Sequence, residues 1–231
     1  MTDIALTLSL CHRKSSASIE FQPNKINTMS KLDAHSTAVV LIGYQNDYFA
    51  SDGILRGVIE EVDRVNHVME NTISLLKGLQ QSDTLLIATP IIFTEDYSEL
   101  SDPQGILKAV KDSKAFCEGT PGAETIDEIK GFGDRILEIP GKRGLNAFSN
   151  TELANVLEER GVTNLVFAGA VTSVCIDSSA RAAFDRGFRV TILSDCTTGR
   201  TMFEQEFYCN EIFPIYADVS SKDELLEAIA S

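Results

Sequence analysis

The chain contains no tryptophan and only three histidines in 231 residues. His12 and His35 fall in the N-terminal region and His67 in an expected helix, so neither a histidine-based metal site nor a Cys-His dyad is expected. There is no CxxC pair. The five cysteines, Cys11, Cys117, Cys175, Cys196 and Cys209, are odd in number and widely spaced, which argues against a disulfide framework and against a structural zinc site. Basic residues are scarce, 20 Lys and Arg against 34 Asp and Glu, and a net charge of -14 repels phosphate backbones and anionic lipid, so nucleic acid is not an expected partner. No apolar run approaches the roughly 18 residues that span a bilayer. Segment 4–11 follows Asp3 rather than a basic region and lacks a small-residue cleavage pattern, so it does not read as a signal peptide. A cytoplasmic location is the resulting expectation.

What is present is a core: 43% of the residues are hydrophobic, enough for one large α/β domain. Residues 1–35 stand apart as an N-terminal extension, either a short edge hairpin (Leu6, Leu8 and Leu10 alternating with Thr7 and Ser9, then Ile19 and Phe21 with Ser18 and Glu20) or a tail. From residue 36 to 231, β and α patterns alternate. Strands are expected at 38–42, 84–88, 135–139, 164–168, 189–193 and 213–216, each short, rich in Val, Ile and Leu and without alternation, as in strands buried on both faces. Helices are expected at 61–80, 123–130, 150–160, 174–186, 202–211 and 222–230. Ser149 with Glu152 and Ser221 with Glu224 have capping-box spacing, and Gly161 and Gly187 stand where a C′ glycine belongs. The alternation implies a three-layer αβα sandwich, Rossmann-like, around a mostly parallel six-stranded sheet, with ligands bound beyond the carboxyl ends of the strands.

Three strand ends carry unusual residues. Strand 38–42 runs into Gly43-Tyr44-Gln45-Asn46-Asp47. Strand 135–139 is followed by a loop holding Lys142, Asn146 and Phe148, and strand 164–168 leads through Gly169, Val171 and Thr172 to Cys175, where a helix begins. A cysteine at a helix N-terminus meets amide donors and the positive end of the dipole, which favour thiolate over thiol. Unpaired cysteines are also common as plain buried apolar residues. Tyr44, Phe49, Phe93, Phe116 and Phe148 are expected near the mouth or in the core. Gln45 and Asn146 are candidates for orienting a polar substrate or for tying their own loops by side-chain to backbone hydrogen bonds.

Taken together, these stretches resemble the isochorismatase-like cysteine hydrolases, a family that includes nicotinamidases, N-carbamoylsarcosine amidase, ureidoacrylate and biuret hydrolases and the isochorismatases. The resemblance covers about residues 36–230. It rests on GYQNDYF at 43–49, similar to the family's D-x-Q-N-D-F; on GTPGAE at 119–124, similar to G-T-x-G-A-E; on Lys142 six residues before Phe148, as in K-x-x-x-[SN]-A-F; and on Gly169 to Cys175, similar to G-x-x-T-x-x-C. It implies a catalytic Asp, Lys and Cys acting by covalent catalysis on an amide or ureide. Cys175 is then the nucleophile and Lys142 the lysine. The amides of Val171 and Cys175 form the oxyanion hole beside a cis Ala170-Val171 peptide. The resemblance further implies a small-molecule substrate, no cofactor and a homodimer or homotetramer.

The family aspartate is missing, because its position is occupied by Gly43. Three readings follow: an inactive relative, an enzyme confined to substrates whose leaving groups need little protonation, or substitution by another carboxylate, with Asp47 nearest. Glycine also has a steric reading, since it permits positive φ at a sharp strand exit. The metal-binding D-x-H of nicotinamidases is absent too: Ile91 and Phe93 occupy the ligand positions, so no metal is expected. A catalytically silent binding protein and, last, isochorismatase-type vinyl ether cleavage are the alternatives to an amide hydrolase.

Overall fold

In the computed structural model the described residues are 29–59 and 62–230. The expected hairpin or tail, with Cys11 and His12, lies outside them. Residues 29–36 already pack on the domain: Leu32 is buried and its N–H donates to the Ala228 carbonyl at 2.9 Å.

Six strands form one sheet: β1 Thr37–Ile42, β2 Leu85–Thr89, β3 Ile136–Glu138, β4 Asn164–Ala170, β5 Arg189–Thr198 and β6 Asp218–Ser220. Their order is β3-β2-β1-β4-β5-β6, and every pairing is parallel. The helices are α1 Asn46–Phe49, α2 Val62–Gly78, α3 Gly105–Ser113, α4 Asp127–Lys130, α5 Leu153–Glu159, α6 Asp177–Asp185, α7 Met202–Phe207 and α8 Lys222–Ala230.

Successive strand residues point to opposite faces, and both faces are covered. Val39, Leu41, Leu86 and Val166 pack with Leu75 and Leu76 of α2 and Leu225 of α8. Val40, Ile42, Ile87 and Phe167 pack on the other face with Leu153 and Leu157 of α5 and Ala180 and Ala183 of α6. Two buried faces explain why the strands read as continuous apolar runs. The chain builds outward from β1 through β2 to β3, then returns to place β4 on the other side of β1. The carboxyl ends of β1 and β4 therefore flank the switch point, where such sheets bind ligands.

Several expectations need correction. The last strand lies at 218–220 rather than 213–216, because Phe213–Ile215 forms a 3-10 turn, and Pro214 with no N–H suits the start of a turn, not a ladder. The capping box at Ser221 is present, Ser221 N–H donating to Glu224 Oε2 at 2.8 Å and Glu224 N–H to Ser221 Oγ at 3.3 Å. The one expected at Ser149 is not, since α5 begins only at Leu153, behind Glu152. Helix α3 had no counterpart in the expected elements.

Candidate active site

The β1 end is set by Gly43, whose φ of +79° turns the chain sharply out of the sheet. An ideal Cβ there would stand 2.9 Å from the Ala170 carbonyl oxygen and 3.6 Å from Tyr48 Cδ2. The Gly43 and Ala170 backbones thus approach more closely than a side chain tolerates. The peptide bond from Ala170 to Val171 is cis. The chain then makes one wide π-helical turn, Thr172–Ile176, that runs directly into α6. Cys175 sits within that turn rather than one residue into a helix beginning at 174.

The loop after β3 brings Lys142 alongside. It is 1% exposed, and its Nζ donates to the Gly144 carbonyl at 2.6 Å and approaches Cys175 Sγ at 3.6 Å. Gly43, Lys142 and Cys175, drawn from three strand ends, line a single cavity of about 20 Å³. That is room for about one water molecule. Its remaining walls are largely apolar: Tyr48 of α1, Ile106, Leu107 and Val110 of α3, and Phe116 among them. A larger, more open groove of about 320 Å³ runs along Pro90, Glu118, Thr120 and Lys130, and neither Cys175 nor Lys142 lines it.

Four other residues named from the sequence do not reach the cavity. Tyr44 points under α2, sharing a 2.5 Å hydrogen bond with Thr72 Oγ1 and donating to the Cys196 carbonyl at 3.1 Å. Gln45 is fully occupied: its Nε2 donates to the Ile91 and Ala123 carbonyls and its Oε1 accepts from Ile91 N–H at 2.9 Å. Asn146 Oδ1 accepts from Phe148 N–H at 2.8 Å. Phe148 belongs to the core on the α5 and α6 face, near-parallel to Phe188 and capped by the Arg186 guanidinium. For Gln45 and Asn146 the loop-tying alternative describes the observed bonds. Val171 is buried next to the cis bond and its side chain is not among the cavity walls.

Asp47, the nearest carboxylate in sequence, is also committed. Its Oδ2 accepts from Phe116 N–H at 2.6 Å, and the carboxylate packs so tightly over Gly122 that a Cβ there would lie 2.1 Å from Oδ1. Burial raises its pKa, partly offset by the amides of Phe116 and Ile54. It ties α1 to the 116–122 loop and does not line the cavity.

The turn bearing Cys175 is held from behind by α7. Thr172 Oγ1 donates to Gln205 Oε1 at 2.6 Å, and that oxygen also accepts from Gly199 N–H at 2.8 Å. Ser173 Oγ donates to Glu204 Oε1 at 2.5 Å, and Arg200 Nε to Oε2 at 2.7 Å. Burial pushes the Glu204 pKa up, but the bonds from Ser173 and Arg200 prevail and the carboxyl titrates below its ordinary value. Sequence reasoning missed this clamp, and also Tyr48 and the α3 wall. For α3 a signal existed, since Ile106, Leu107 and Val110 have the spacing of one helix face. Among the described residues no group of three or more His, Cys, Asp and Glu is placed to hold a metal ion.

An all-parallel αβα sandwich with a buried lysine beside a cysteine at its switch point is a Rossmann-like α/β architecture with its candidate site where such sheets bind ligands. The isochorismatase domain model matches residues 37–224. The chain belongs to the isochorismatase family of hydrolases.

Among curated proteins it is 32% identical over 110 residues to nicotinamidase 3 of Arabidopsis thaliana, a match covering 48% of this chain and only 56% of that protein. It is 27% identical over 197 residues to the ureidoacrylate amidohydrolase RutB of Rhizobium rhizogenes, covering 80% of this chain and 78% of that one. A cysteine hydrolase structure from Pseudomonas syringae pv. phaseolicola superposes with a TM-score of 0.75 over 87% of this chain and 96% of its own, at 20% identity, and so bears on the fold alone.

Proposed function

We propose that this protein is a cysteine-dependent hydrolase of small amides, ureides or related C–N bonds, working through a thioester intermediate without a metal or cofactor. The observation that carries the reading is Lys142 Nζ at 3.6 Å from Cys175 Sγ in a small, largely apolar cavity. A charge separation between these two groups is little screened there. The two curated relatives, named for nicotinamide and ureidoacrylate, direct the substrate class toward amide and ureide bonds.

In this reading the Cys175 thiol gives its proton to solvent, the Lys142 ammonium stabilises the thiolate, and the thiolate adds to the carbonyl carbon. The backbone amides of Val171 and Cys175 receive the developing oxyanion, the type of interaction worth about 10²- to 10³-fold in rate per donor. Collapse releases the amine, and water cleaves the thioester. With glycine at position 43, no carboxylate of the described residues lines the cavity. General acid-base assistance commonly supplies about 10²- to 10⁴-fold, so turnover of ordinary amides is expected to be slow.

The missing carboxylate also favours a second reading, a silent family member that binds without turnover. We further infer a cytoplasmic homo-oligomer that does not bind nucleic acid. The described cysteines, all free thiols, support the compartment; the exposed Phe203 and Phe207 of α7 support association; the net charge of -14 supports the exclusion. The test combines a screen of small amides and ureides with iodoacetamide labelling, on the native chain and on Cys175→Ala. Turnover that survives Cys175→Ala would sink the cysteine assignment. Rapid labelling of Cys175 with no turnover anywhere would leave the silent reading.

A further inference from the structure

Besides Lys142 and Cys175, one described residue with a polar side-chain group lines the cavity. Tyr48 is 4% exposed and lines the same cavity as Gly43, Lys142 and Cys175. Its ring is fixed on one side by Phe116, with centroids 5.2 Å apart, and on the other by the Gly43 backbone, where even an added Cβ would touch Cδ2 at 3.6 Å. The other buried tyrosines spend their hydroxyls on protein groups: Tyr44 on Thr72 and Cys196, Tyr97 on the Ala115 carbonyl. The Tyr48 hydroxyl makes no hydrogen bond with any described residue. The Tyr48 oxygen is not among the buried side-chain atoms of the described residues left without a partner, so it keeps some solvent contact and is free to bond a group that enters the site. In the 43–49 motif, the strand end that has lost a carboxylate at Gly43 also carries this hydroxyl five residues later.

We propose that the Tyr48 hydroxyl donates the proton to the leaving nitrogen of the substrate, a role that rests on Cys175 being the nucleophile as assigned above. As the S–C bond formed by Cys175 persists, the C–N bond breaks, its electron pair goes to nitrogen, and nitrogen takes the phenol proton. The amine leaves. The phenolate then removes a proton from the water that adds to the thioester carbon, the C–S bond breaks, and the Cys175 thiolate and the Tyr48 phenol are both restored. The acid product gives its proton to solvent, so atoms and charge balance with water as the sole co-reactant. Burial, reinforced by the neighbouring Cys175 and Asp47, pushes the Tyr48 pKa up, so the group stands as a phenol and acts as a donor in the first half of the cycle. Asp47 is unsuited to the task, because its carboxylate is engaged by backbone amides and lies outside the cavity walls.

The test is Tyr48→Phe, which keeps the ring and its packing. Hydrolysis is compared on a matched pair, p-nitroacetanilide and p-nitrophenyl acetate. These share an acyl group, and they differ in that the anilide nitrogen must be protonated to leave whereas p-nitrophenolate leaves as the anion. The expected result is a loss of tenfold or more in kcat/KM on the anilide, with kcat/KM on the ester, which reports acylation and not thioester hydrolysis, and iodoacetamide labelling of Cys175 within twofold of the native chain. Equal losses on both substrates mean a structural role and overturn the proposal. An undiminished anilide rate overturns it too, as does a native chain that labels at Cys175 yet hydrolyses neither compound. Cys175→Ala separates the two layers of inference. If it keeps anilide turnover, the nucleophile assignment fails; if it is inactive while Tyr48→Phe is unaffected, only the tyrosine role fails.

Discussion

Lys142 Nζ lies 3.6 Å from Cys175 Sγ and 2.6 Å from the Gly144 carbonyl oxygen, with both side chains buried. Among the described residues the sulfur is the ionisable group within hydrogen-bond distance of the Lys142 ammonium, and the attraction between an ammonium and a thiolate so placed is poorly screened. Lys142→Met keeps the length and apolar stem while removing the charge. It is expected to slow iodoacetamide labelling of Cys175 by tenfold or more at neutral pH, with mass spectrometry locating the label. An unchanged labelling rate would show that the lysine does not activate the cysteine.

Gly43 is the second test, and the structure alters how it must be done. Restoring a carboxylate there also imposes a side chain at φ +79° and a Cβ 2.9 Å from the Ala170 oxygen. Non-glycine residues in such conformations cost about 1–3 kcal/mol. Both Gly43→Asp and Gly43→Ala should therefore lower stability by about that amount in urea unfolding, and the comparison between them isolates the carboxylate. If the carboxylate has a place in the cavity, Gly43→Asp exceeds Gly43→Ala in amide turnover by tenfold or more. Equal rates in the two variants would indicate that the backbone here no longer admits the family chemistry.

The fold and the central pair were legible for physical reasons. Strands covered on both faces leave continuous apolar runs, as in Ala38–Ile42 and Asn164–Ala168, and an unusual residue at a strand end in an α/β sheet stands near the ligand site whichever way the loop goes. Lys142 and Cys175 could be read from such positions. The cavity walls could not. Whether Tyr44 or Tyr48 faces the site depends on how sharply Gly43 turns the chain, and Tyr44 was directed under α2 toward Thr72 by that turn. Helix α3 is short, and although Ile106, Leu107 and Val110 share one face, Val110 is its one buried residue, so the stripe is too brief to set a helix apart by periodicity alone. The strand expected at 213–216 shows the converse: the run is apolar, but Pro214 has no N–H to give a ladder, and Phe213–Ile215 turns instead.

Helix α3 is also the wall most open to engineering. Ile106, Leu107 and Val110 close a cavity of about 20 Å³, too small for most acyl groups. Val110→Ala removes two methyl groups, costing about 1–2 kcal/mol at about 0.8 kcal/mol per buried carbon. The enlarged cavity is expected to lower KM for acyl groups longer than acetyl by severalfold, with little change for acetyl itself. Measuring p-nitrophenyl acetate against p-nitrophenyl butyrate on both chains checks this, and a parallel change for the two esters would place the acyl group elsewhere.

The clamp behind the cysteine turn gives stability a pH dependence of predictable sign. Glu204 titrates below its ordinary value of 4.5 in the fold, held there by Ser173 and Arg200 against the cost of burial. A carboxylate with a depressed folded pKa stabilises the fold above its unfolded pKa and loses that contribution as pH falls through the folded value. Asp47 has the opposite sign: burial raises its pKa, so its native form holds the proton more tightly, and its contribution is fully present below 3.8 and lost as pH rises through the raised value. Glu204→Gln, which leaves Ser173 and Arg200 with a weaker acceptor, is expected to cost about 1–3 kcal/mol at pH 7 and to lessen the loss of stability on acidification below pH 4.5. Because Ser173 lies in the turn that carries the nucleophile, the same variant should slow Cys175 labelling while Lys142 is intact. Urea unfolding across pH 3 to 7, run beside the labelling assay, measures both effects. A variant whose stability still falls below pH 4.5 as steeply as the native chain's would show that Glu204 does not bear the charge that holds the turn.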